Sequence, residues 1–156
     1  MVKGQVEIPM EGKITKLVLL DTIKGMTYPE ISIGKKVTVL NAGFLVSIDN
    51  GFPMDAMLQM YFLDSTNVII DSLFAKGPQL ILSGQIDANG KVTSSTHTLM
   101  KELFNEQRYS RITKTKNAAL YVFFRTANNG TVPVKIYPSY KIKSNIAIDV
   151  KADVSF

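Results

Sequence analysis

The strongest constraint on the fold is an alternation that runs through the end of the chain. From Val134 to Phe156 the even-numbered residues are mainly apolar, and the odd-numbered residues are mainly polar or charged. This period of two is typical of a β-strand that buries one face. One uninterrupted strand of this length would extend over roughly 75 Å, whereas most strands stop at about 10 residues. We therefore expect a hairpin here, with residues 143–145 as a three-residue loop and Ile142 paired with Ile146 across it.

The rest of the chain also favours β-structure. Val, Ile and Thr together supply 40 of the 156 residues, and these β-branched side chains suit a pleated sheet better than a helix. Turn-forming clusters recur at short intervals, which is typical of antiparallel sandwiches and barrels; they lie at residues 24–25, 50–53, 64–67, 76–78, 87–90 and 128–130. The length matches one domain. The sequence therefore predicts a single antiparallel β-sandwich over residues 1–156, of Ig-like or Greek-key type, with one short helix.

Alternating and apolar segments place the remaining elements. We expect strands over residues 2–8, 14–23, 36–49, 56–63, 68–75, 79–83, 91–99 and 118–125. The strand over 36–49 is predicted to bury one face, made of Thr38, Leu40, Ala42, Phe44, Val46 and Ile48. A helix is predicted over Met100–Tyr109, because apolar residues recur there at helical spacing and Thr98 can cap its start.

Composition excludes several kinds of functional site. The chain has no Cys and one His, so disulfides, cysteine nucleophiles and sites that need two imidazoles are ruled out. No phosphate-binding glycine loop, nucleophile elbow or zinc motif occurs. The segment 87–90 has the start of a calcium loop without its further oxygen ligands, so a hairpin turn is predicted there. His97 is interpreted as a surface or edge residue, and we expect no metal or cofactor.

Two other functions stay open as alternatives. Paired carboxylates can hydrolyse glycosidic bonds, although Asp is also common at turns for local hydrogen-bonding reasons; the candidates are Asp49, Asp55, Asp64, Asp71 and Asp87. The alternation that ends at Phe156 is also similar to the closing strand of a small outer-membrane β-barrel. Against the barrel, Met57–Leu63 is apolar on both faces and Trp is absent, which favours a sandwich with a buried strand. We expect a chain that is not an enzyme.

Positive charge is concentrated in the last third of the chain. Residues 1–100 hold 8 Lys/Arg and 9 Asp/Glu, whereas residues 101–156 hold 10 and 4. The candidate binding residues are Lys135, Tyr137, Lys141 and Lys143, which share the polar parity of the C-terminal alternation, with Arg125 on another strand. Such a face suits an acidic glycan or a protein partner, because Tyr can stack on a sugar while the lysines attract anions. Lysines that protect a sheet edge are the alternative interpretation. The charges are spaced singly, so we expect no nucleic-acid partner.

Several segments resemble one family. The sequence over residues 36–156 is similar to uncharacterised all-β domains of surface lipoproteins from anaerobic gut bacteria; the matching segments are NGFPMD (50–55), LQMYFLD (58–64), IDSLF (70–74), DANGKV (87–92) and KIYPSYKI (135–142). The resemblance implies a non-catalytic binding or structural module of the cell envelope, with no family site residue to carry over. It also implies a signal peptide and a lipid-bearing Cys, so we expect both to precede Met1 in a longer protein. A cytoplasmic location is the alternative.

Overall fold

The computed structural model describes residues 10–28 and 36–155, so the strand predicted over residues 2–8 lies outside the described residues. Twelve strands and two short helices follow one another within the described ranges. They are β1 (Met10–Gly12), β2 (Leu17–Lys24), β3 (Lys36–Asn50), β4 (Asp55–Leu63), β5 (Ile69–Ser72), β6 (Gln79–Ile81), β7 (Gln85–Ile86), β8 (Val92–Ser94), β9 (Thr96–Asn105), α1 (Glu106–Ile112), β10 (Asn117–Arg125), α2 (Ala127–Gly130), β11 (Val134–Ile136) and β12 (Ile142–Ser155).

Two larger sheets form the body of the fold. The first has the strand order β2-β10-β4-β5, with β6 also paired to β4, and the second has the order β12-β3-β9. Two small pairs, β1-β11 and β7-β8, lie beside them. Every described pairing is antiparallel. The predicted all-β antiparallel sandwich is therefore confirmed, and β10 lies between two other strands as its apolar sequence indicates.

The core lies between β3 and β4. The even-numbered apolar side chains of β4, and those of β3 from residue 42 onward, are buried; they are Ala42, Phe44, Val46, Ile48, Ala56, Leu58, Met60 and Phe62. The rings of Phe44 and Phe62 are 6.1 Å apart, and Phe104 of β9 contacts both. Burial of each large side chain contributes about 1.5–3 kcal/mol to folding. This central cluster positions the loops at both ends of the sandwich.

A bulge in β3 overturns part of the predicted buried face. Lys151 pairs with Asn41 and Ala152 pairs with Val39, so Leu40 is an extra residue on β3. A bulge of one residue exchanges the two faces of a strand beyond it. Leu40 is consequently 44% exposed, and Val39 packs against the core instead. Leu40 was therefore predicted on the wrong face, and the side chain of Thr38 lies outside the described residues.

The predicted C-terminal hairpin at residues 143–145 is wrong. The chain turns earlier, between Tyr137 and Tyr140, whose backbone N–H donates a 3.1 Å hydrogen bond to the Tyr137 carbonyl. From Ile142 onward β12 pairs with β3 along its whole length, and Ile146 lies opposite Val46 rather than Ile142. Pro138 favours the earlier turn because it fixes its own φ and lacks an N–H donor. The long β3 then supplies a partner for an unusually long strand.

The predicted helix over Met100–Tyr109 is displaced. Residues 100–105 continue β9, in which Thr98 pairs with Ile48, and α1 begins only at Glu106. The true N-cap is Asn105, whose Oδ1 accepts a 2.9 Å hydrogen bond from the Arg108 backbone N–H. The four-residue spacing of Leu99 and Leu103 also satisfies a strand period of two, and both side chains are exposed on its outer face.

Arg108 fixes α1 to the two sheets. Its guanidinium carbon lies 3.7 Å from the centroid of the Phe104 ring, and Nη1 donates a 3.0 Å hydrogen bond to Glu102. Nη2 reaches Asp71 at 3.3 Å and the Ser72 carbonyl at 2.7 Å. This side chain therefore links β9, α1 and β5.

In the described part of the chain, no helix has the length and apolar character needed to cross a membrane.

Candidate functional site

The candidate site lies at one end of the sandwich, where β3 ends, β9 and β12 begin and the β7-β8 hairpin comes close. We call it the basic end and define it by Lys91, Tyr137, Tyr140, Lys141 and Lys143. Two hydrogen bonds bring its segments together: Gly51 N–H donates to the Lys141 carbonyl at 3.1 Å, and Val92 N–H donates to Tyr140 Oη at 2.8 Å. Loops at the ends of a rigid sandwich commonly carry binding residues.

A buried amide holds the loop beneath the basic end. Asn50 is fully buried, and its Nδ2 donates to the carbonyls of Met54 and Leu82 at 2.9 Å and 3.0 Å. Its Oδ1 accepts a 3.0 Å hydrogen bond from the Phe52 N–H. A Cβ atom at position 51 would lie 2.8 Å from the Lys141 carbonyl oxygen. The backbone at Lys141 can therefore lie this close to the end of β3 only because residue 51 is glycine. The loop is thereby preorganised.

Two adjoining depressions open at the basic end. The first, of about 290 Å³, is lined by Lys91, Lys141, Tyr140 and a set of small or hydroxyl-bearing residues that includes Gly51, Val92, Thr93, Ser94, Ser95 and Ser139. The second, of about 330 Å³, is lined by Asp49, Ser95, Lys141 and Lys143. Lys141 and Ser95 belong to both. The hydroxyls and ammonium groups provide many hydrogen-bond donors in a small area.

An apolar depression adjoins the basic ones. It measures about 310 Å³ and is lined by Met10, Phe52, Ile136, Tyr137, Pro138 and Tyr140. The Tyr137 and Tyr140 rings are 5.4 Å apart at 64°, and Phe52 contacts Tyr140 at 6.1 Å. Lys91 Nζ lies 5.7 Å from the centroid of the Tyr137 ring, close enough for a cation–π attraction. Aromatic surface and positive charge therefore lie side by side.

A row of three titratable residues crosses the outer face beside the second depression. Asp49 of β3 lies opposite Lys143 of β12 and opposite His97 of β9. His97 Nδ1 and Asp49 Oδ1 are 2.8 Å apart, and their side chains are 57% and 46% exposed. His97 is thus a surface residue on an edge strand, as predicted. Asp49 therefore lies between His97 and Lys143 in the sheet and contacts the imidazole.

The structure brings together three of the five predicted binding residues. Tyr137, Lys141 and Lys143 meet at the basic end, but they do not share one strand, because β11 ends at Ile136 and β12 begins at Ile142. The predicted single sheet face is replaced by a turn and the first residues of β12. The arrangement is a loop cluster rather than a flat sheet surface.

The other two predicted residues lie elsewhere. Lys135 is in β11, where it lies opposite Glu11 of β1. Arg125 ends β10 opposite Asp55, and its Nη1 donates a 3.1 Å hydrogen bond to Asn129. Neither residue lines the three depressions described above.

Lys91 belongs to the site and was not predicted. It directly follows the 87–90 turn, where Asp87 Oδ1 accepts hydrogen bonds from Asn89 N–H and Lys91 N–H at 2.9 Å each. The predicted hairpin turn is therefore confirmed. Nothing in the sequence shows that this hairpin folds against the turn at Tyr137, because the two segments are far apart along the chain and neither carries a local pairing signal.

The candidate catalytic carboxylates have local structural partners. Asp64 Oδ1 accepts hydrogen bonds from Val68 N–H at 2.9 Å and Thr66 N–H at 2.7 Å, which lower the pKa of its carboxyl group. Asp55 accepts a 2.9 Å hydrogen bond from Ser83 N–H. Asp71 binds Arg108 and Arg111. Within the described ranges, no group of three His, Asp or Glu side chains is placed to hold a metal ion.

Comparison with known proteins gives little further guidance. No protein-family model matches the sequence, and no curated protein matches it. Among solved structures, the chain is similar to part of the structure of the infectious bursal disease virus Gx strain, with a TM-score of 0.47 and 8% sequence identity. The match covers 95% of this chain and 29% of that chain, so this chain spans less than a third of it. A similarity at this level carries no functional information.

Proposed function

We propose that this chain is a non-catalytic binding module that holds an anionic polymer, most simply an acidic glycan, at its basic end. The observation that carries the proposal is the convergence of Lys91, Lys141 and Lys143 on two adjoining depressions. These three lysines come from the β7-β8 hairpin, a turn and β12, so the fold brings together positive charges that are separated along the sequence. The resemblance to bacterial surface lipoproteins supports a place in the cell envelope, where acidic polymers are available ligands.

The chemistry of the basic end suits a sugar polymer with carboxylate or sulfate groups. Lysine ammonium groups attract such anions without fixing one geometry, because each is a flexible point charge. The serine and threonine hydroxyls around Lys141 can both donate and accept, and they match sugar hydroxyls. The Tyr137 ring beside them offers apolar contact to the CH face of a sugar.

Each contact with the polymer is expected to be weak. Measurable binding therefore requires several contacts at the same time. Lys141 and Lys143 are exposed, and attraction between exposed charges is screened beyond about 8 Å at physiological salt. Exposed ion pairs contribute about 0.2–1 kcal/mol each. Binding is therefore micromolar at best, multivalent and weakened by salt. Contact with Tyr137 supplies the part of the affinity that salt does not remove.

A glycan array tests the proposal. The wild-type chain and a Lys141→Glu/Lys143→Glu variant are applied to acidic and neutral glycans at low and at moderate salt. We expect the wild-type signal to concentrate on acidic glycans, to fall with salt and to be lost in the variant. Equal signals from both proteins, or a signal indifferent to salt, would assign these lysines to edge protection alone.

A further inference from the structure

Three of the predicted turns contain the dipeptide Asn-Gly, at residues 50–51, 89–90 and 129–130. This dipeptide is chemically labile in water, because glycine has no Cβ to keep its backbone nitrogen away from the preceding side chain. The glycine nitrogen bonds to the Asn Cγ, the Cγ–Nδ2 bond breaks, and the glycine amide proton leaves with Nδ2 as ammonia. Water then opens the cyclic imide to Asp or isoAsp. The fold decides which of the three pairs reacts.

A hydrogen bond holds the attacking nitrogen of every pair. The donor–acceptor distance is 3.1 Å for Gly51, 3.0 Å for Gly90 and 2.9 Å for Gly130. Each bond must open before the imide forms, and their similar lengths do not distinguish the pairs. The difference must come from two other conditions, which are release of the Asn amide group and room beside the glycine.

The first pair is held inside the loop beneath the basic end. Asn50 is fully buried, and its amide group makes the three hydrogen bonds that fix this loop. Bringing its Cγ onto the Gly51 nitrogen would break these bonds and leave buried polar groups unpaired, which is costly. The Lys141 carbonyl oxygen also lies 2.8 Å from the place of a Cβ on Gly51. The native fold therefore protects Asn50.

The third pair is confined by a neighbouring segment. Asn129 Oδ1 accepts a 3.1 Å hydrogen bond from Arg125 Nη1, and Gly130 is buried. A Cβ built on Gly130 would lie 2.5 Å from the Thr15 Cα. Closing the imide ring rotates the backbone at this point, and the close-packed backbone at Thr15 opposes that movement. The native fold therefore also protects Asn129.

The pair Asn89-Gly90 is free of these restraints. Asn89 is exposed in the turn of the β7-β8 hairpin, and its side-chain amide has no recorded hydrogen bond to the residues that the structure describes. A Cβ built on Gly90 would have no described heavy atom within 4 Å beyond the adjoining residues. Only the local bonds of an exposed turn have to open, and such segments open at a small free-energy cost.

We propose that Asn89 is a site of selective, spontaneous deamidation, with water as the co-reactant. The product carries a carboxylate two residues before Lys91, in the hairpin that brings Lys91 to the basic end. IsoAsp also lengthens the backbone by one methylene group, which disturbs the turn bond between the Asp87 N–H and the Lys91 carbonyl. The reaction lowers the positive charge of the hairpin, so the anion affinity of the basic end falls as the protein ages. This last effect rests on the proposed function, whereas the modification does not.

Peptide mass mapping of the native protein tests the site. The wild-type chain is incubated in mildly alkaline buffer and digested, and conversion of each Asn-Gly peptide to its acidic form is followed. We expect Asn89 to convert at least about tenfold faster than Asn50 and Asn129. In denaturant the three rates should become similar, because the fold no longer restrains any pair. Similar rates in the native protein, or a faster rate at Asn50 or Asn129, would overturn the proposal.

Two variants assign the acidic form seen by ion-exchange chromatography. Asn89→Gln should suppress it, since a Gln side chain must close a larger and slower-forming ring. Asn129→Gly is the matched control, because glycine suits the positive φ of 54° at that position, and it should age like the wild type. An acidic form that accumulates equally from Asn89→Gln and the wild type would contradict modification at Asn89.

Binding of the separated forms tests the consequence for the basic end. We expect the acidic form to bind a uronic-acid oligosaccharide at least about twofold more weakly than the fresh protein at low salt, since an added carboxylate repels the ligand. Equal binding by both forms would overturn the effect on the basic end. If neither form binds, the proposed function fails, and mass mapping decides the modification independently.

Discussion

The backbone N–H of Val92 donates a 2.8 Å hydrogen bond to Oη of Tyr140, and this bond ties the β7-β8 hairpin to the turn before β12. The two segments contribute Lys91 and Lys141, respectively, to the same depression. Tyr140 also contacts Phe52 and Tyr137 through its ring, so it is half-buried between the loop and the turn. The Tyr140 hydroxyl group therefore helps to fix the position of Lys91 relative to Lys141.

Removing that hydroxyl should loosen the basic end. In Tyr140→Phe the Val92 N–H loses its partner, and the free energy of unfolding should fall by about 1 kcal/mol. Amide hydrogen exchange at Val92 should become at least several-fold faster, while exchange in the β3-β4 core is unchanged. Tyr121→Phe, on the outer face of the other sheet, serves as the control. Unchanged exchange at Val92 would show that the hydrogen bond does not hold the hairpin.

Arg108 should contribute far more to stability than its neighbour Arg111. The Arg108 side chain is 16% exposed and binds two carboxylates, whereas Arg111 is 46% exposed and binds Asp71 alone. Arg108→Met leaves the partly buried Glu102 without its cation and leaves Asp71 with Arg111 alone, which should cost about 3 kcal/mol. Arg111→Met should cost at most about 1 kcal/mol. Chemical denaturation measures both, and equal losses would contradict this assignment.

Acid should destabilise the fold partly through Asp71. Burial raises the pKa of this carboxyl group, but hydrogen bonds from Arg111, the Ser72 N–H and Arg108 outweigh burial and hold the pKa below its usual value. A lowered folded-state pKa stabilises the protein above the unfolded-state pKa of about 3.9, and the stabilisation is lost as pH falls through the folded-state value.

Thermal unfolding of the wild-type chain and Asp71→Asn measures this effect. The melting temperature of the wild type should exceed that of the variant at pH 7, and the difference should shrink between about pH 5 and pH 2. A difference that stays constant over this range would mean that the charge of Asp71 does not stabilise the fold.

Gly130 should tolerate no side chain. Its φ is +87°, and a Cβ there would lie 2.5 Å from the Thr15 backbone Cα. Gly130→Ala combines left-handed strain with a backbone clash and should cost about 2–4 kcal/mol. Gly77 also has a positive φ, +94°, but opens into free space, so Gly77→Ala should cost only about 1 kcal/mol. Equal losses in a denaturation experiment would show that the contact with Thr15 adds nothing.

Periodicity predicted the fold well where a strand has a regular partner. The even positions of β3 from Ala42 to Ile48 are buried as expected, because each residue of this segment pairs without a shift. The same argument fails at Leu40, since a bulge exchanges the faces without leaving a signal in the sequence. For β9, one spacing of apolar residues satisfied both a helix and a strand. Pairing with β3 decided between them, and Asn105 marked the helix start that periodicity missed.

The candidate site was only partly predictable. The polar alternation predicted that Tyr137, Lys141 and Lys143 lie together on one strand. They are close to one another, but through a turn between β11 and β12. Lys135 and Arg125 were included because charge and parity do not reveal which end of a strand a residue occupies. Lys91 was missed because its approach to Tyr137 is a tertiary contact between segments that share no local pattern.

The most direct test of the central claim is a titration with a uronic-acid oligosaccharide in which charge number and charge position are separated. Two variants are compared with the wild-type chain: Lys141→Glu/Lys143→Glu, which alters the basic end, and Lys135→Glu/Lys151→Glu, which makes the same change in net charge elsewhere. We expect micromolar binding by the wild type and the second variant at low salt, and at least tenfold weaker binding by the first. Equal weakening in both variants would mean that the glycan responds to net charge, and the basic end would not be a binding site.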